Sequence, residues 1–229
     1  MISEKDFLKI TKLIIQNIEG GYFSWDYHKN VKNVERMGKS GETMFGIDRA
    51  NGGSIPENEK EYNEFWAIID KNKNPKEWVY NYRGGKLEKQ LTELAAKIQY
   101  KEFLHCVKYK IEEKGYETVK KIINRDKKIA LHFIYASWNG IGYFGQFADQ
   151  LNNYLNEKHT SKEIWQFCLN CRRKIGGLIA IGADKLEGIV NNNKLFFSSF
   201  NLKKTLVIGG LALLLVGAGY YLVKKNKKR

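Results

Sequence analysis

Residues 18–25 read I-E-G-G-Y-F-S-W, a lone carboxylate followed at once by two glycines and then aromatics. Glu19 lies four residues after Ile15 and eleven after Leu8, so on one helix the three share a face, within about 40° of one another. A carboxyl group leaving the edge of an apolar face loses hydration, and desolvation disfavours its charged form. That is the condition of a general acid working near neutral pH. Gly20 and Gly21 allow a sharp turn and leave backbone open to a ligand. Tyr22, Trp25 and Tyr27 offer flat faces of the kind that stack on sugar rings. The same pattern also suits a helix C-cap with a solvent-exposed Glu and core aromatics.

A second stretch, SGETMFGIDRANGG at 40–53, carries Thr43, Gly46 and Ile47. The pair of motifs, Glu-Gly-Gly-Tyr and then Thr-x-x-Gly-Ile, resembles phage and bacterial muramidases of the lysozyme-like superfamily, closest to glycoside hydrolase family 108. In that family the first helix ends at a catalytic Glu within E-G-G-Y, and a G-G-x-T-x-x-G-I hairpin lines the cleft. The resemblance implies a mainly α, α+β lysozyme-like domain with a small hairpin. It also implies cleavage of the β-1,4 bond between N-acetylmuramic acid and N-acetylglucosamine in peptidoglycan. Glu19 would be the acid and Thr43 would position water or substrate. Gly20, Gly21, Tyr22, Trp25 and Gly46 would border the saccharide. ASWNGIGYFGQFADQLN, 136–152, would be the helical wall facing Glu19, with Trp138 and Asn139 as sugar contacts.

The chain departs from the family between the motifs. WDYHKNVKNVERMGKSGE replaces an Asp- and Gly-rich loop, and Ser40-Gly41 replaces the double glycine. The second carboxylate therefore has three candidates, Asp26, Glu35 and Glu42. With a second acid the enzyme delivers water, as a muramidase. Without one, Glu19 takes a proton back from the muramic 6-hydroxyl, as a lytic transglycosylase does.

Other motifs lead elsewhere. Gly140-x-Gly142-x-x-Gly145 follows the apolar run IALHFIYASW and superficially fits a dinucleotide fingerprint, but no alternation of strands and helices surrounds it. Cys168-x-x-Cys171 is a redox pair, a zinc site with His105 and Cys106, or two buried thiols; inside the helical stretch KEIWQFCLNCRRK the buried pair is expected. Arg172-Arg173-Lys174 is a phosphate contact or, by default, a solvated helix end. Neither a metal nor another cofactor is expected.

The elements that must position these residues are mostly helical. Ser3 and Asp6 make an S-x-x-D helix start, and Phe7, Ile10, Ile14 and Ile18 recur at helical spacing. An irregular or hairpin stretch follows from Gly20 to about Gly53. Helices are expected over EKEYNEFWAIID and over KLEKQLTELAAKIQYKEFLHCVKYKIEEKG, where Leu87, Leu91, Leu94 and Ile98 form a stripe. Further helices are expected near 117–135, 141–156 and 161–174. Two prolines and 43% hydrophobic residues among 229 suit one helical domain, assigned to 1–190.

Residues 191–204, NNNKLFFSSFNLKK, read as a linker. From 205 to 223 runs TLVIGGLALLLVGAGYYLV, without a charge, spanning roughly 28 Å as a helix, close to a bilayer's hydrocarbon core. It is expected to be a transmembrane helix, followed by the basic tail 224–229. The net charge is +14. Seven of the 39 basic residues lie in 203–229, which has no acid, so the remainder carries 32 bases against 25 acids. That surface favours anionic partners, peptidoglycan being the one the motifs imply, without nucleic acid.

Peptidoglycan lies outside the cytoplasmic membrane, whereas the N-terminus lacks the apolar core of a signal peptide. A virus particle with an internal membrane, in which virion structural proteins are partners, resolves that conflict. The alternatives are a late lysis enzyme and a non-catalytic, membrane-anchored assembly protein on the same fold.

Overall fold

The Ser3 hydroxyl accepts a hydrogen bond from the Asp6 N–H at 3.2 Å and starts helix α1, Glu4–Asn17. This cap satisfies one of the otherwise orphaned first-turn donors. The computed structural model describes residues 2–19, 21–24 (22–24 by backbone alone), 42–49, 55–72 and 85–198. Strands β1 (Tyr22–Ser24), β2 (Glu42–Met44) and β3 (Ile47–Asp48) follow, antiparallel and in that order, with Thr43 opposite both Phe23 and Asp48.

A 3-10 turn at Pro56–Asn58 leads into α2 (Glu59–Asn72). Next come α3 (Lys86–Val107), a π turn at Lys108–Glu112, α4 (Glu117–Arg125) and α5 (Lys127–Trp138). The described chain ends with α6 (Ile141–Tyr154), α7 (Ser161–Ile175), α8 (Gly177–Asn192) and the short α9 (Lys194–Phe197). The protein is thus mainly helical with a small sheet.

Helix α5 is the axis of the larger core. Every residue from Ile129 to Ser137 is buried, the signature of a helix covered on all sides. Phe7, Ile10 and Ile14 of α1, Phe103 of α3, Phe144 and Phe147 of α6, Leu169 of α7 and Leu186 of α8 join it in one cluster. A second cluster holds the hairpin: Met44, Phe45 and Ile47 pack with Phe65, Trp66 and Ile69 of α2 and with Leu91, Leu94 and Ile98 of α3. Trp138 packs against both clusters.

Two expectations need correction. The helix expected over 117–135 is two, because Asp126 takes extended backbone (φ −114°, ψ 110°) and its carboxylate accepts from Lys128 N at 2.8 Å and Ile129 N at 3.4 Å. It caps α5 instead of continuing α4. The 191–204 linker starts too early: α8 runs to Asn192, α9 to Phe197, and Phe197 is buried in the core. The glycine spacing set aside above as a dinucleotide fingerprint follows helix α5, not a strand. Among the described residues no helix is long and apolar enough to cross a membrane, and the segments 205–223 and 224–229 lie outside them.

Candidate functional site

Glu19 stands just past the end of α1, its N–H donating to Ile14 O at 3.1 Å. From there its carboxyl reaches the β2–β3 turn, a two-residue loop in which Phe45 (φ 54°) and Gly46 (φ 71°) both adopt left-handed backbone. Two-residue hairpins favour such positive φ values because they match strand twist. At Gly46 a side chain is also excluded sterically. A Cβ there would lie 2.5 Å from Glu19 Oε2, 2.9 Å from its Cδ and 3.0 Å from Trp138 Nε1.

Phe45 is less usual, since a bulky residue at positive φ is strained. Its ring is fully buried near Phe65, and its carbonyl accepts a hydrogen bond from Trp138 Nε1 at 3.0 Å. The indole thereby ties the hairpin to the C-terminal end of α5. A second tie holds the hairpin to α2. Arg49 donates to Glu42 at 2.6 Å and, through both terminal nitrogens, to Asp70 at 2.8 and 2.6 Å, with its guanidinium over the Trp66 ring.

Glu19 is half-buried, with its carboxyl against Gly46. Burial raises its pKa above the ordinary 4.5, opposed by the Lys185 charge on α8 and by a hydrogen bond from the Tyr135 side chain on α5. Tyr135 in turn is pushed up to about 12, first by burial and then by the Glu19 charge, and its hydroxyl also meets the Asn139 side chain.

Behind Tyr135 lies Arg172 of α7, completely buried. Nη1 donates to Asn139 Oδ1 at 3.0 Å, Nε to His132 Nδ1 at 3.1 Å and Nη2 to His132 O at 3.0 Å. Its guanidinium lies over the rings of Tyr135 and Phe147, at 4.7 and 4.9 Å. Burial pulls its pKa down to about 10, which leaves it a cation at neutral pH. Because His132 Nδ1 accepts, that imidazole is neutral with its proton on Nε2, and burial beside Arg172 holds its pKa well below the usual range.

A groove of about 470 Å³ opens on the other side of Gly46 and Trp138. Ile47, Ile55, Ile98 and Ile141 give it apolar walls; Asp48, Gln99, Glu102 and His105 give it polar ones. Gln99 Oε1 is buried without a partner among the described residues, and Glu102 accepts from Asn58 Nδ2 at 3.2 Å. Glu19 is not itself among the lining residues; its carboxyl sits directly behind Gly46.

Of the residues expected to act, the fold brings Glu19, Gly46, Trp138 and Asn139 together. Thr43 is half-buried on β2, opposite Asp48, and does not line the groove. Gly21 leads into β1, and Tyr22 is described by backbone only. Gly20 and Trp25, with Asp26 and Glu35, lie outside the described residues. Glu42, the remaining candidate for a second acid, is committed to Arg49.

Asn139 and Trp138 line the groove, yet Asn139 Oδ1 accepts from Arg172 and Trp138 Nε1 donates to Phe45 O, both inward. Cys106, Cys168 and Cys171 are buried free thiols, and no cluster of His, Cys, Asp and Glu among the described residues could hold a metal. The Arg-Arg-Lys run is no solvated end: Arg172 is core and Arg173 pairs with Asp184 and Glu187, each at 2.9 Å.

No protein-family model, curated protein or solved structure matches this chain. Its chemistry has to be read from its own residues.

Those residues include several that motif reading missed, namely Asp48, Gln99, Glu102, Tyr135 and Arg172. A signal existed for two of them. Glu102 continues the α3 stripe four residues after Ile98, and Arg172 lies four after Cys168 on the buried stripe of α7. A charged residue on an apolar stripe is a buried polar group in need of partners.

Proposed function

We propose that this chain is a peptidoglycan-cleaving glycosidase of lysozyme-like fold, acting on the β-1,4 bond between N-acetylmuramic acid and N-acetylglucosamine. Glu19 is its general acid. The observation that carries this reading is the Glu19 carboxyl, desolvated and pressed against Gly46 at the back of the groove. Burial that raises its pKa lets this carboxyl keep a proton to higher pH, and that proton is the one to pass to a glycosidic oxygen. Once it has done so, the carboxylate is met by the Tyr135 hydroxyl and the field of Lys185.

The oxocarbenium-like state left behind needs a counter-charge or an internal nucleophile. Asp48, opposite Thr43 and lining the groove, is the carboxylate we assign to direct water. If Asp48 has no part, the muramic 6-hydroxyl attacks instead, returns its proton to Glu19 and yields an anhydro product.

The apolar segment 205–223 is proposed as a membrane anchor, with delivery in a membrane-containing virus particle. Carbonate extraction of membranes carrying the full chain should leave it in the pellet.

The central experiment is digestion of purified peptidoglycan by the full chain and by Glu19→Gln, with mass spectrometry of the released fragments. Loss of clearing in the variant is expected, and the mass difference of one water separates reducing from anhydro ends. Equal clearing by both proteins would remove Glu19 from the mechanism. A protein that binds the wall without cutting it would point to an assembly role.

A further inference from the structure

The Phe45–Gly46 peptide is the part of the hairpin that meets Glu19, and a donor from another element holds it. Trp138 Nε1, at the C-terminal end of α5, donates to Phe45 O at 3.0 Å, joining positions 93 residues apart. A trans peptide is a rigid plane, so fixing its carbonyl oxygen fixes the plane as far as the next Cα, that of Gly46. The point where a Gly46 Cβ would stand lies 2.5 Å from Glu19 Oε2 and 3.0 Å from Trp138 Nε1. The indole that anchors the plane and the carboxyl that the plane covers therefore flank one point.

The turn does not hold itself. Phe45 sits at φ 54°, where a bulky residue is strained, and such backbone persists only where its surroundings over-determine it. The buried Phe45 ring, packed in the α2–α3 cluster, fixes the first residue of the turn. The indole bond fixes the peptide that follows.

We propose that Trp138 is a positioning residue for Glu19: its indole N–H holds the Phe45–Gly46 peptide plane against the Glu19 carboxyl group and so closes that side of the acid to water. This differs from the sugar contact that the motifs implied, since the polar edge of the indole is engaged by the protein itself.

This inference rests on Glu19 being the proton donor of the proposed reaction, and its test separates the two claims. Among the described residues, Glu19 is faced by Lys185 of α8 and Tyr135 of α5, and the turn, Phe45-Gly46, brings it no charge. The indole hydrogen is committed to a carbonyl, so deleting it takes no donor from the carboxylate. What changes is water. A loosened turn hydrates the carboxyl and moves its titration down towards the ordinary 4.5.

Trp138→Phe removes the N–H and keeps an aromatic ring. Replacing Trp138 with benzothienylalanine is the cleaner change: sulfur takes the place of the N–H in a ring of the same shape, so packing and any stacking on substrate survive. In both proteins the alkaline limb of the pH–rate profile should move downward, and kcat near neutral pH should fall by about 10- to 100-fold, the range for a misplaced catalytic group. With benzothienylalanine KM should stay within about twofold, since uniform binding is untouched. Replacement with 5-fluorotryptophan, which retains the N–H, should keep the parental limb.

The carbon-13 titration of the Glu19 carboxyl, assigned by its absence in Glu19→Gln, reads the same shift without substrate. A limb that stays in place in the benzothienylalanine protein overturns the proposal, and a raised KM beside it would make Trp138 a sugar contact instead. A limb that moves as far with 5-fluorotryptophan also overturns it, because the hydrogen bond would then not be the cause. A Glu19 titration that moves down with benzothienylalanine in a protein that cuts no peptidoglycan keeps the positioning role and discards the glycosidase reading. An unmoved titration in an active enzyme does the reverse.

Discussion

The two walls that meet at Glu19 differ in what is added to their buried packing. The α5–α8 wall adds an all-round apolar helix, a fully buried guanidinium and a tyrosine wedged against a helix backbone. The hairpin wall, with Met44, Phe45 and Ile47 buried against α2 and α3, adds partly exposed ions, one indole hydrogen bond and a turn in left-handed backbone. Exposed ion pairs contribute little and weaken with salt, whereas buried packing is stiff. The hairpin side thus carries a salt-sensitive contribution on top of its buried core. The difference teaches that two walls of one site can share packing and still respond differently to solvent.

The comparison breaks most readily at the seam. Gly46→Ala puts a methyl group into the Glu19 carboxyl and forces a side chain to φ 71°. A loss of about 2–3 kcal/mol of stability is expected from strain and overpacking, with activity falling at least about 10-fold; urea unfolding and peptidoglycan clearing measure the two. Gly182→Ala strikes the stiff wall, where the added methyl meets Tyr135. It should cost about 1–3 kcal/mol and lower kcat, because a tightly packed ring has nowhere to go.

Asp126→Ala removes the cap of α5 and should cost about 1 kcal/mol by the same unfolding measurement. Arg49→Met, on the hairpin side, should cost under about 1 kcal/mol at low salt and less still at high salt. A large, salt-independent loss there would show the hairpin to be as rigid as its partner.

Glu19→Gln sharpens the comparison through pH. The folded pKa of Glu19 is raised, so the native state binds the proton more tightly than the unfolded chain does. Its contribution to stability is therefore present below the ordinary value of 4.5 and is lost as pH climbs through the raised one. The variant should unfold at a higher temperature than the parent near neutral pH, and the gap should close below pH 4.5.

Much of this was legible in the residues and some was not. The α1 start, the α3 stripe and the limits of α6 and α7 follow from capping and apolar period, local signals that tertiary contacts reinforce. Glu19 and Gly46 were legible as motifs, but nothing local could report that they touch. Asp126 escaped because its capping role depends on a backbone dihedral. Helix α8 escaped because glycines at 176, 177, 182 and 188 read as breakers, whereas Gly182 is the gap that admits Tyr135. Arg172 escaped because a run of three basic residues reads as solvated, although helical period separates the first of them from the other two.

The order in which a ribosome makes these groups has a consequence of its own. Glu19 leaves the exit tunnel early, yet Tyr135, Arg172 and Lys185 follow more than a hundred residues later. Closure between Asp6 and Lys127 alone joins points 121 residues apart. The desolvated acid therefore cannot exist in a nascent or truncated chain, and folding must wait for long-range closure, which slows it. Whatever Glu19 does in the folded chain, incomplete copies lack the surroundings that set its protonation.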